Sequence, residues 1–185
     1  LEYLTTLGIP AMDVLKAATS VAARAIGRGE RFGTVKPGME ADLLVVRLYD
    51  GEPVMESLVE AWRSTRWRCG FIISGVGMVR DVTVGFFRRN RGYATTTLRG
   101  PCEVLGVSGN VALREGQPFL HLHVTLADVR KRAVGGHLLR ACAHVTGEFA
   151  LVRSAVAFSR EVEKTGLPGM KVRRPVAFRF HSKIR

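Results

Sequence analysis

The chain has 185 residues, enough for one good core and a small appendage, with 46% hydrophobic and 24% charged residues, ordinary for a soluble globular protein. No apolar run approaches the 18 or so residues of a membrane span, and no basic-then-apolar leader opens the chain, so the expected setting is the cytoplasm with no membrane partner. The formal net charge of +12, most of its basic residues arginine, favours nucleic acid or another polyanion as partner, against the plainer reading of a solvated arginine-rich surface. Cys69, Cys102 and Cys142 are odd in number, widely spaced and set among apolar neighbours, which predicts reduced thiols and excludes a disulfide framework or a zinc knuckle.

The first forty-two residues predict a short helical hairpin. Pro10 suits a helix start, Met12, Leu15, Ala18 and Ala22 keep an apolar stripe, Thr19 or Ser20 resets the cap between two short helices, and Gly27 and Gly29 end the second. Lys36-Pro37-Gly38-Met39 has the Pro and Gly of a type II turn. Leu43 to Val46 then predict a buried strand. After a turn at Asp50-Gly51 comes an amphipathic helix with Val54, Leu58, Ala61 and Trp62 inward.

GFIISGVGMVRDVTVGFF predicts a short strand, a glycine-punctuated turn and a second strand. Arg80 and Asp81 in that strand point to opposite faces and make a poor mutual bridge. RRNRG is a hairpin loop, YATTTLR and CEVLGVSGNVAL are strand segments, and Asn110 after Gly109 is expected in a turn. A Glu115-Gly116 turn leads into FLHLHVTLAD. GEFALVRSAVAF is the last strong strand, and PVAFRFHSKIR is basic and partly apolar.

The most informative stretch is Phe119 to His137. Leu120, Leu122, Val124 and Leu126 form one aliphatic strand face, and Phe119, His121, His123 and Thr125 form the other. A turn centred on Arg130 would return the chain so that His137 stands opposite His123, at a Cα separation of roughly 5 Å. His121, His123 and His137 thus form a candidate site for zinc or another divalent metal. The competing reading leaves them as strand residues on a half-exposed or interface face, with Gly135 and Gly136 free to bulge. Glu103 and Glu148 lie in strand-like segments of the same sheet, where either could orient an imidazole, and Glu103 could equally be half of a structural ion pair. Ser74 and Ser108 match no nucleophile motif.

Two resemblances follow from these segments. LGIPAMDVLKAATSVAARAIG with GTVKPGMEADLLVV resembles the C-terminal tail of metal-dependent amidohydrolases, through its A-T-S-x-A-A-R-A, K-P-G and A-D-L-x-V elements. That family's metal ligands and catalytic carboxylate lie upstream of the tail, so hydrolase activity does not carry over, and residues 1–42 are expected to be the end piece of a fusion.

From residue 43 to 170 the segments SGVGMVRDVTVGFF, GPCEVLGVSGN, PFLHLHVTLAD, AVGGHLL and TGEFALV resemble the PPC domain, conserved in plants and prokaryotes. The resemblance implies an α+β fold, a mainly antiparallel sheet packed with one helix, and assembly as a homotrimer. Plant members carry G-R-F-E-I-L-S where this chain keeps Gly100, Glu103 and Leu105 but has Pro101 and Cys102 for the arginine and phenylalanine. Residues 171–185 are expected to be a basic tail. The function implied is DNA binding in a regulatory trimer, without an AT-hook, since Arg173-Arg174-Pro175 lacks the glycine of R-G-R-P. The alternatives are a metal- or small-molecule-binding protein, with a metal-dependent activity of its own, built on the histidines, and a non-catalytic trimeric scaffold.

Overall fold

The computed structural model describes residues 1–34, 36, 39, 43–89 and 91–172, in two compact units that divide between residues 42 and 43. The turn expected at Pro37-Gly38 and the basic run from Arg173 onward lie outside the described residues.

The first unit contains α1 (Glu2–Thr6), α2 (Ala11–Lys16), a π-helical turn (Ala17–Val21) and α3 (Ala22–Ala25). The helix does not reset at Thr19 or Ser20. Thr19 instead donates its hydroxyl to the Leu15 carbonyl at 2.7 Å, so the threonine bonds back into the preceding turn and the helix widens rather than breaks. Gly27, at φ +70°, follows its end.

The second unit is α+β, a mostly antiparallel eight-stranded sheet with one helix. Its strands are β1 (Leu43–Tyr49), β2 (Gly70–Arg88), β3 (Gly92–Leu98), β4 (Cys102–Arg114), β5 (Gln117–Ala127), β6 (Ala133–Arg153), β7 (Phe158–Val162) and β8 (Pro168–Val172), with α4 (Val54–Arg63) between β1 and β2. The order is β3-β2-β6-β5-β4-β7-β8, β1 pairs with β6, and β2 also pairs with β4, so β2, β6, β5 and β4 close into a ring. Val54, Leu58 and Trp62 of α4 bury against Leu120, Leu122, Val124 and Leu126 of β5 and their neighbours. This burial of apolar surface is the main stabilising contribution to the unit.

Several local expectations differ from the structure. GFIISGVGMVRDVTVGFF is one bent strand, because its glycines let β2 pass through register shifts while staying paired with β6. The last strand is likewise longer than expected: β6 absorbs GEFALVR, and Phe158 starts a separate strand. β1 is not buried on both faces. It pairs with β6 alone, and Val45 on its outer face is 67% exposed. Asp81 sits at φ +53° within a β2 irregularity, which interrupts face alternation and brings its carboxylate to 3.8 Å from Arg80 Nη1. Strand β8 runs through residue 172, across the 170/171 boundary at which the basic tail was expected to begin.

Candidate metal centre

The site grows from two hairpins. Arg114 faces Gln117 across Glu115-Gly116, whose φ values of +52° and +80° are those of a two-residue hairpin turn. This register places Asn110 opposite His121 and Ser108 opposite His123. The second hairpin is held by Asp128, whose Oδ1 accepts the backbone N–H groups of Arg130 and Arg132 at 2.9 Å each. Arg132 also donates to Asp128 Oδ2. The return strand then pairs His123 with His137, and no bulge intervenes at Gly135 or Gly136 on this ladder.

The three imidazoles converge. Ring centroids are 5.1 Å apart for His121 and His123, 4.7 Å for His121 and His137, and 5.4 Å for His123 and His137. One nitrogen from each ring lies within 4.8 Å of the others. A tetrahedral zinc with Zn–N bonds of 2.0–2.1 Å spaces its nitrogens by about 3.3 Å, so modest side-chain rotation closes the set. His121 and His137 are half-buried and His123 is exposed, which leaves one side open.

Burial and neighbouring charge favour the neutral form of His121 and His137. Burial first, then the Arg160 guanidinium and the other two imidazoles, lower the His121 pKa to about 4. Burial, His123 and Arg160 lower that of His137. Neutral imidazole is the ligand form, and a ring already free of its proton takes up metal without displacing one. His137 Nδ1 is buried without a hydrogen-bond partner, an orphaned atom that a metal would satisfy. The donor set fits zinc or a similar divalent ion.

Around the triad stand residues that sequence reasoning missed. Tyr93 stacks on His137 with ring centroids 5.0 Å apart. Asn110 is no turn residue; it lies mid-strand, and its Oδ1 accepts Arg160 Nη2 at 2.9 Å. Its place was readable by counting back from the Glu115-Gly116 turn. Arg160 had no such signal, because β7 reaches β4 through a single parallel pairing, Leu113 with Ser159. Neither carboxylate expected at the site is there: Glu103 faces Ala127, Glu148 faces Arg47, and among the described residues no acid joins the cluster.

Residues 36–154 match the family described as the Plants and Prokaryotes Conserved (PCC) domain. The chain is 30% identical over 118 residues to the bifunctional protein GlmU of two Synechococcus strains, covering 63% of this chain but only 18% of the length of those relatives.

A "putative dna binding protein" from Bacteroides thetaiotaomicron superposes with a TM-score of 0.68 at 26% identity, covering 73% of this chain and 95% of that one. A metal-containing protein from Archaeoglobus fulgidus does so at 0.63 and 29%, covering 69% and 91%. A plant- and prokaryote-conserved (PPC) protein from Pyrococcus horikoshii shares the fold, with a TM-score of 0.65 at 23% identity over 78% and 100% of the two chains. The matched family segment begins at residue 36, so the amidohydrolase likeness of residues 1–42 rests on its sequence motifs alone. Shared fold and matched segment together make this chain a member of the PCC domain family.

Proposed function

We propose that the protein is a metal-binding PCC-domain protein in which His121, His123 and His137 hold one zinc or similar divalent ion. The convergence of three imidazoles, with one nitrogen from each within 4.8 Å of the others, carries this reading. The metal-containing relative from Archaeoglobus fulgidus supports it. Three protein nitrogens would leave a fourth position for water or a ligand, and a metal held by them would supply Lewis-acid chemistry. Elemental analysis of metal-replete protein tests the reading: about one ion per chain, lost in the His121→Ala/His123→Ala double variant, is the expected result. No metal in either protein overturns it.

A second reading, DNA binding by a regulatory homotrimer, draws on the net charge of +12 and the Bacteroides relative. The outward-facing apolar residues Val45, Ile73, Val76 and Leu105, each more than half exposed, support self-association. Light scattering at three times the chain mass, and duplex binding that weakens steeply with salt, would bear this out. Unpaired Cys69, Cys102 and Cys142 support a reducing, cytoplasmic setting. The amidohydrolase-like motifs of residues 1–42 support reading them as the end piece of a fused hydrolase, beside a PCC unit from residue 43.

A further inference from the structure

We propose that this centre takes a small oxyanion, a phosphate or carboxylate group, held between the bound metal and the guanidinium of Arg160. The inference rests on the metal reading above and adds the ligand class.

Arg160 belongs to the β7–β8 hairpin, beyond the family-matched segment that ends at residue 154. Its Nη2 donates to Asn110 Oδ1 at 2.9 Å and its Nη1 to the Pro168 carbonyl at 2.7 Å. The guanidinium carbon lies 5.8 Å from the Phe119 ring centroid. Asn110 faces His121 across the ladder, and Phe119 is two residues before His121 on the same strand face, so the cation stands one position along from the triad. Those two bonds use two of five N–H donors. Nε is enclosed and has no partner. Among the described residues no carboxylate pairs with this guanidinium.

A half-buried, uncompensated cation next to a metal site is unfavourable unless an anion lies between them. The planar arginine fork matches two oxygens of a carboxylate or phosphate, and a third oxygen or the same edge can fill the open metal position. On the side of Arg160 toward the Glu115-Gly116 turn lies a cleft of about 500 Å³, lined by Arg68, Arg114, Ser159 and Arg160 with Glu115 and Glu161 at its walls, and by none of the three histidines. That volume accommodates a small organic molecule carrying such a group.

Cobalt(II)-loaded protein, whose visible bands report the fourth ligand, tests the proposal. Inorganic phosphate and acetate are titrated separately into the unaltered protein, Arg160→Lys and Arg160→Gln. The expected result is a saturable band shift, with affinity about 10- to 100-fold weaker in Arg160→Gln, the range for losing charge-assisted hydrogen bonds. The anion that acts at the lower concentration identifies the group. Arg160→Lys keeps the charge without the fork and stands in if the glutamine variant melts early. Cobalt uptake without any anion shift, or equal affinity in all three proteins, overturns the oxyanion and leaves the metal reading standing. Absence of cobalt uptake overturns the metal reading and the bridged ligand with it.

Discussion

The ring of Tyr93 reaches His137 by passing over Gly85. Gly85 faces His137 on β6 and Thr95 on β3, and a Cβ there would meet Tyr93 Cδ1 at 2.6 Å and Leu139 Cδ1 at 3.2 Å. The missing side chain is what lets the two rings stack at 5.0 Å with planes 21° apart.

Gly85→Ala should therefore push the tyrosine aside and loosen the orientation of His137. Metal affinity, measured by competition with a chromophoric chelator, should fall about ten-fold, as when a supporting contact to a ligand is lost. Tyr93→Phe keeps the stacked ring and should bind metal as the unaltered protein does. Equal affinity in Gly85→Ala would remove the stack from any role at the site.

Acidification supplies a second test, in metal-free protein. The folded-state pKa of His121 is lowered to about 4, whereas the unfolded chain protonates near the ordinary value of about 6.5. Between these values the unfolded state binds more protons, so stability is greatest above about pH 6.5 and declines as pH falls toward 4. The lowered pKa of His137 acts in the same direction. His121→Asn should flatten the dependence of the melting midpoint across that window. An unchanged slope would show that the ring titrates normally.

A third prediction concerns the bulge in β6 after His144. Val145 is a β-branched residue at φ +65°, a region that penalises L-residues by roughly 1–2 kcal/mol. Asp50 Oδ1 accepts its N–H at 2.9 Å. That bond, reinforced by Arg80 and His144 and opposed by burial, holds the Asp50 carboxyl below the usual range. Val145→Gly should raise stability in urea by about 1 kcal/mol. Asp50→Asn should lower stability at neutral pH. It should also remove a contribution that is present above the ordinary carboxyl pKa and lost as pH drops through the depressed one.

A fourth bears on the anchoring of β7. The buried Cys69 thiol donates to the Phe158 carbonyl at 3.0 Å and accepts the Phe158 N–H at 3.3 Å, while the Cys69 carbonyl accepts Ser154 N–H at 2.8 Å. Cys69→Val should cost about 1–2 kcal/mol and speed amide exchange through residues 158–172. Cys69→Ser, which restores donor and acceptor, should recover most of the protection. Unaltered exchange in the valine variant would show that the hairpin is anchored elsewhere.

How much was legible in the sequence divides by range. Helix α4 and the two faces of β5 follow from periodicity alone, and the pairing of His123 with His137 follows from counting about the Asp128–Arg132 turn, because tight hairpins propagate register without outside help. The glycines at 75 and 77 misled: they read as a turn, yet Gly75 makes room for Phe149, where a Cβ would come within 2.8 Å of the ring. Local pattern cannot tell a glycine that bends a chain from one that yields space to a neighbour. Arg160 was illegible for another reason. Its approach to the triad depends on a non-local parallel contact and on the Cys69 thiol, 89 residues before the Phe158 it anchors, neither of which leaves a periodic trace.

The β7–β8 hairpin lies past residue 154, where the family-matched segment ends, while the three histidines lie within that segment. On the proposed reading, the metal ligands and the anion-facing arginine therefore sit on separate stretches of chain. A change confined to the hairpin would leave the strands that carry the imidazoles untouched and alter the preference for the ligand alone.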